Sequence, residues 1–407
     1  MVRVAEQAVV HNSDVDVLIV GGGPAGLMAA KYLSRQHRVA LIERGTLGQT
    51  KKCWVTTLRR LQKHGLDKCV LSNPPKMITG TFLGGYISVN GDFAVVDDRQ
   101  LLRILLEQCR DRGVHFQENC RLLNLAWMSK RVQAQTTQGT IVARLIVDAT
   151  GGMSAVASTF RLHRIDGFYS IYGGMLRNIR LHAQEIILGY VSQLGDPPPI
   201  LEIFPTGDSS AYCVIFIYAK RLVPPQSLAA AFHDHCRHNP FFELTSNTQW
   251  EDEKAGAVPI GQRHRRNLPG VIPFGEAGII QPPLMGTAFN EVLEHAELLC
   301  SQISRELKAS KERVARPRLV YPLRKRAQDR VQLPLIRAIL SGNIERFDLL
   351  LRVMARFSES ILFNFFSNEL TWAQVGSLAL RLPGFFLKEE VLKRRGRATV
   401  SQRISPH

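Results

Sequence analysis

The sequence predicts an α/β fold in three parts. Three observations carry that prediction. The N-terminal segment reads strand, glycine turn, helix, strand, acid; the middle is strand-rich and punctuated by turns; the C-terminal stretch is helical, basic and broken by proline. A chain of 407 residues is long enough for two domains with a substantial core.

The first strand is Asp14–Val20, which ends in a short apolar run and leads into Gly21-Gly-Gly-Pro-Ala-Gly26. Leu27–Leu33 reads as a helix on the sheet, and Arg38–Glu43 as a second strand ending on an acid. That order is a Rossmann-like βαβ unit. Gly21 permits the tight turn, Gly23 lets backbone approach a pyrophosphate, and Gly26 lets helix and strand pack closely. Pro24 and Ala25 open the helix, whose free N–H groups favour phosphate. Glu43, with Arg44 beside it, follows Gly26 at a distance that suits a carboxylate accepting from ribose hydroxyls.

Leu101–Cys109 has helical spacing and Gly113 can close it. Val114–Phe116 and Ile141–Val147 read as further strands. Tyr169–Tyr218 is strand-rich, with turns at Gly195–Pro199 and Thr206–Ser210. From about Ser301 the chain reads as helices interrupted by Pro317, Pro322, Pro334 and Pro383. The expected organisation is a discontinuous nucleotide domain (14–165 and 255–310), a β-sheet substrate domain (75–95 and 166–254) and a helical basic tail (311–407).

The seven cysteines are scattered without C-x-x-C spacing, which argues against a zinc site or a disulfide framework. Cys53 reads as a packed thiol or a redox thiol. Residues 1–13 lack the apolar core of a secretory signal, and no apolar run is long enough to span a bilayer. The expected setting is cytoplasmic, with peripheral membrane contact. Of the net charge of +17, the stretch 301–407 carries +12, from 21 Lys and Arg against 9 Asp and Glu. Such asymmetry suggests an anionic partner. Nucleic acid is not expected, because no recognition motif accompanies the charge. Leu362–Phe366, Leu378–Leu387 and Lys393–Arg397 together read either as a patch for an anionic membrane surface or as a helical cap with a solvated basic end.

Two later strand-to-turn segments point to FAD. They are Leu145–Gly152, with Gly151 in its turn, and Val271–Gly278, followed by Pro282–Phe289 and a helix. These resemble the distal flavin motifs of the superfamily of aromatic hydroxylases, geranylgeranyl reductases, flavin halogenases and lycopene cyclases. The family's second motif usually reads Gly-Asp, whereas this chain has Gly275-Glu276. The resemblance implies that Pro283, Gly286 and Thr287 lie near the flavin ring. It also matches Arg99 to an arginine that opens a helix near the flavin; a solvated helix-start arginine is the alternative. Lys51–Trp54 falls in the loop that the family places beside the ring, with Trp54 packed on something.

Within the superfamily the chain is most similar to lycopene cyclases. Tyr86–Val89 through Arg99 resembles that family's first half, Tyr172-Gly173, Pro199–Pro205 and Val214–Lys220 its substrate sheet, and Phe363–Phe366 its aromatic tail. Those enzymes deliver a proton from paired glutamates on the second substrate strand, but Val214–Lys220 holds no acid. The nearest carboxylate is Glu202, on one face of its strand with Ile200 and Phe204. Against an apolar wall it would stay neutral, as a general acid requires. The alternative is an edge-strand glutamate facing water. Tyr212, Phe216 and Tyr218 share one face of the next strand and suit an apolar substrate; core packing of a buried sheet face is the alternative. The expected function is an FAD-dependent enzyme, an oxidoreductase or flavin-assisted cyclase, acting on an isoprenoid or polyene. NAD(P)H or another reductant would supply electrons. A monooxygenase or halogenase on the same scaffold is the alternative, followed by a non-catalytic flavin-bearing or membrane-bound accessory subunit and, last, an NAD-only dehydrogenase.

Overall fold

The computed structural model describes residues 13–49, 52–192, 199–263, 268–310, 314–339 and 344–384. The chain runs β1 (Ser13–Val20), α1 (Pro24–Leu33), β2 (Val39–Ile42), β3 (Cys53–Thr57), α2 (Leu58–Lys63), β4 (Val70–Ser72), β5 (Lys76–Thr81), β6 (Tyr86–Asn90) and β7 (Phe93–Asp97). It continues through α3 (Asp98–Arg110), β8 (His115–Gln117), β9 (Leu122–Trp127), β10 (Val132–Thr136), β11 (Gly139–Asp148) and α4 (Ala155–Thr159). Next come β12 (His163–Leu181), β13 (Ile186–Val191), β14 (Ile200–Gly207), β15 (Ser210–Ala219), α5 (Pro225–Arg237) and β16 (Phe242–Arg263). Then come β17 (Val271–Pro273), α6 (Ala288–Ala309), α7 (Leu323–Ile339), α8 (Ile344–Met354) and α9 (Glu359–Phe366).

The first sheet has the order β8-β2-β1-β11-β10-β9, with β17 also paired to β11. Its β8, β2, β1 and β11 are parallel neighbours, as a βαβ unit demands. β2, Val17–Val20 of β1 and Leu145–Val147 of β11 are apolar and buried because both faces of the sheet are covered there. One face packs on α1, α3 and α6, where Leu27, Leu105, Ala296 and Leu299 are buried.

A second seven-stranded sheet runs β16-β12-β15-β14-β13-β5-β6, and β3-β7-β4 form a small third sheet. Alternation gives the second sheet two distinct faces. One buries Leu176, Ile203, Cys213 and Ile215 against Phe232 of α5. The other carries Tyr169, Ile200, Phe204, Tyr212, Val214 and Tyr218, and the tail packs over it.

That packing revises the reading of the aromatic tail. Leu362, Phe365 and Phe366 are buried in the same core as the substrate sheet, so they do not form an apolar surface for lipid. Phe363 lies against Phe93, and Arg59 stacks over its ring. Each fully buried aromatic contributes roughly 2 kcal/mol. Leu378 and Leu382 are buried too, whereas Leu380 is exposed. Lys51, the turn at 195–198 and the basic run 393–397 lie outside the described residues. No helix among the described residues is long and apolar enough to cross a membrane.

Candidate active site

The glycine turn sits between the end of β1 and the start of α1. Gly26 has no room for a side chain, since an added Cβ would lie 1.9 Å from the Gly21 carbonyl oxygen. At Gly23 an added Cβ would meet nothing within 4 Å, so that backbone faces open space. The space is a cleft of about 630 Å³ lined by Gly21, Gly23, Pro24, Ala25, Glu43, Arg44, Gly151 and Glu276, among others. Pro24 is at the first position of α1, and no side chain caps that helix end. Its N–H groups are therefore left for a ligand. Glu43 accepts from the N–H of Gly22 at 2.7 Å and from that of Gly45 at 3.1 Å. Each oxygen keeps a lone pair for a ribose hydroxyl. Open backbone, free helix terminus and acid together fit a dinucleotide.

Gly275 has φ +65°, and its missing Cβ is what lets it lie against Ala25. This joins the distal motif to the start of α1. Glu276 accepts from the N–H of Gly152 at 3.2 Å, which ties the two distal motifs together. Thr287 precedes α6, and Pro283 is buried with its carbonyl accepting from the Tyr169 hydroxyl.

A second cavity, of about 320 Å³, opens beside the first. Lys52, Trp54, Glu276, Ala288 and Phe289 line both. Trp54 stacks on Phe289 with ring centroids 5.1 Å apart, so it is packed as expected. Gly286 and Thr287 line the second cavity, as do Tyr169, Phe204, Tyr212, Val214 and Phe216 of the substrate sheet.

Glu202 lines this cavity. Its strand is internal, with Leu188 of β13 on one side and Val214 of β15 on the other. The edge-strand alternative is therefore overturned: β14 is paired on both sides. The carboxyl has no hydrogen-bond partner among the described residues. Desolvation pushes its pKa up to about 8, so it holds its proton at neutral pH. Tyr169 and Tyr218 lie close by, with rings 4.6 Å apart. Burial comes first, and the Tyr218 hydroxyl and Glu202 add to it, in keeping the Tyr169 phenol protonated. Tyr218 donates to the carbonyl of Leu284 at 3.0 Å. Both tyrosines thus fasten the substrate sheet to the loop before α6.

Arg99 is placed differently from Glu202. Its side chain is 62% exposed, pairs with Asp252 at 3.1 Å, and lines neither cavity. Cys53 lines the substrate cavity, and its thiol lies near the Val96 carbonyl. Desolvation and the nearby Asp98 raise its pKa, which disfavours the reactive thiolate. The described residues hold no group of three or more metal-ligating side chains.

Sequence reasoning missed the anchors from the tail. Asn368 donates to the Thr287 hydroxyl at 2.8 Å and accepts from Gln328 at 3.0 Å. Gln332 accepts from the N–H of Leu284 at 3.1 Å. Lys325 pairs with Glu291 at 3.0 Å, both nearly inaccessible to solvent. Burial opposes the Glu291 charge, but Lys325 overrides it and holds the carboxyl below its ordinary range. These partners lie 34 to 81 residues apart in sequence, and no local pattern marks them.

Comparison with known proteins agrees with this geometry. The chain is 24% identical over 322 residues to rifampicin monooxygenase of Rhodococcus hoagii, covering 72% of this chain and 64% of that one. It therefore spans just under two thirds of that relative. A geranylgeranyl bacteriochlorophyll reductase-like protein of Thermoplasma acidophilum superposes with a TM-score of 0.68 at 15% identity, covering 93% of this chain and 99% of that one. The halogenase PltM, solved with phloroglucinol and FAD, gives 0.61 at 11% identity, covering 93% and 96%. These structural likenesses show the fold. The family described as lycopene cyclase protein matches residues 16–389, and on that match, with both cavities in place, the chain belongs to the lycopene cyclase family of flavin-dependent enzymes.

Proposed function

We propose that the protein binds FAD in the glycine-lined cleft and acts on an apolar isoprenoid or polyene in the adjoining cavity, with Glu202 as proton donor. The observation that carries this reading is a carboxyl with no partner among the described residues, its pKa raised to about 8 by burial on a largely apolar wall, in a cavity that shares Lys52, Trp54, Glu276, Ala288 and Phe289 with the nucleotide cleft. Gly21, Gly23, Glu43, Gly151 and Glu276 would hold the cofactor. Bound FAD, reduced by NAD(P)H or another donor, supplies hydride or a negative charge beside the substrate.

The chain's own residues supply the rest. The apolar walls exclude water, which keeps Glu202 protonated and protects a cationic substrate from capture. The Glu202 proton passes to a substrate double bond, and the aromatic faces of Phe216 and Tyr212 stabilise the resulting positive charge. The carboxylate left behind then recovers a proton from the substrate or from water. An oxygen- or halide-using reaction is the second reading, favoured by the monooxygenase relative. An anionic membrane is proposed as the meeting place for a chain of net charge +17 and its apolar substrate. Retention in solution beside anionic liposomes at low salt would reject that element.

Expression in a host that accumulates lycopene tests the main reading. A product of unchanged mass and altered absorption means cyclisation, and added mass means oxygenation or halogenation. Unaltered lycopene counts against cyclisation of that substrate.

A further inference from the structure

We propose that the substrate is an isoprenoid ending in a carboxylate, which Lys254 and Lys52 hold at the mouth of the substrate cavity while the chain runs inward to Glu202. The proposal rests on the isoprenoid reading above and adds a charged recognition point to it.

The sheet sets the geometry. Glu202 of β14 pairs with Val214 of β15, Val214 with Gly173 of β12, and Gly173 with Lys254 of β16. Residues directly opposite one another share a face, and all four line the cavity. Lys254 and Glu202 are therefore the two ends of one row, about 14 Å apart at their Cα atoms across three strand spacings. The floor between them is low. Gly173 carries no side chain, and an added Cβ would lie 2.5 Å from the Cys213 carbonyl oxygen.

The Lys254 end is the open one: Ala255 and Gly256 follow it in the chain, are exposed, and line the cavity. Lys52 comes to the same end. Its backbone N–H donates to Asp98 at 2.6 Å, and Arg99, the next residue after Asp98, pairs with Asp252 at 3.1 Å, two residues before Lys254. The acids of this rim already serve the protein. Asp98 accepts from the N–H groups of Lys52 and Arg99, Asp252 pairs with Arg99, and Glu276 accepts from the N–H of Gly152. At the inner end Glu202 sits among Leu188, Phe216 and Phe366.

Charge favours this orientation. Apolar walls strengthen the attraction between an ammonium and an anion. Protonated Glu202 does not repel the anion, and the anion offsets the positive charge that forms on the chain once Glu202 has given up its proton. Volume favours a short chain. A dry cavity of about 150 Å³ holds one benzene, so one of about 320 Å³ holds roughly a dozen carbon atoms.

The test uses the holoenzyme and three probes that share one chain, farnesoic acid, farnesol and farnesylamine, with titration calorimetry as the readout. Wild type is expected to bind the acid about tenfold more tightly than the alcohol, the worth of one hydrogen bond to a charged group, and the amine least. Lys254→Met should remove that preference by weakening the acid alone, and Lys52→Met should reduce it. Equal wild-type affinities for acid and alcohol, or a Lys254→Met variant that keeps the preference, would overturn the anion site. If Lys254→Met fails to retain flavin, the amine decides on wild type: binding as tight as that of the acid overturns the proposal. Binding of none of the three probes would reject the isoprenoid reading itself.

Discussion

The two cavities meet at Trp54, Phe289 and Glu276, yet they are built by different means. The nucleotide cleft is made largely of backbone: a glycine turn, an uncapped helix end and carboxylates that hold loops in place. The substrate cavity is made of side chains from two sheets, the loop before α6 and the tail. The first recognises a ligand by close approach and polarity. The second is walled mainly by apolar and aromatic side chains and holds one carboxyl, Glu202, without a hydrogen-bond partner among the described residues. A single added atom therefore ruins the first, whereas the second answers in degrees.

The predictions follow that contrast. Gly23→Val should have the largest effect, placing a branched side chain where the pyrophosphate belongs and yielding colourless protein. A purified variant that stays yellow would break the assignment of the cleft. Glu202→Gln should lower turnover by about 10²–10⁴-fold while leaving flavin absorption intact; a near-normal rate would return Glu202 to a packing role.

The same residue sets a pH dependence. With its pKa near 8, the acid form predominates below that value, and turnover should fall as pH rises through it. Stability shares the sign. The folded state holds this proton where the unfolded chain has released it, so stability is lost as pH rises from the ordinary glutamate range towards 8. Glu202→Gln should therefore gain melting temperature over wild type at pH 9 and gain little at pH 5, read by thermal unfolding.

Asn368→Ala should weaken flavin retention several-fold. It removes the bond to Thr287 and leaves alanine at φ +61°, at a cost of roughly 2 kcal/mol. Wild-type retention on dilution would show that the tail does not position the loop. Arg99→Ala should change least: an exposed pair with Asp252 is worth under about 1 kcal/mol. Loss of flavin in that variant would restore Arg99 as a cofactor contact.

The same contrast explains what the sequence made legible. The βαβ unit is contiguous, and each glycine's reason is local, so Gly21, Gly23 and Gly26 could be read directly. The period of two also put Ile200, Glu202 and Phe204 on one face. Whether β14 was an edge could not be read, because its neighbours depend on sheet order. The tail stayed open between a lipid patch and a helical cap for a similar reason. Phe365 and Phe366 are as apolar as a lipid-facing pair, and only the fold shows that the substrate sheet covers them. Gln332, Asn368 and Lys325 act across distances that composition does not encode.

The tail's share in the substrate cavity also gives biosynthesis a direction. The described lining of the nucleotide cleft is complete at Val292, whereas that of the substrate cavity waits for Ser367, 75 residues later. At ordinary ribosomal speed that interval is about 4–15 s. The residues that line the cleft are therefore all made before the last wall of the second cavity, but the ties from Lys325, Gln332 and Asn368 that hold the start of α6 and the loop before it come only with the tail.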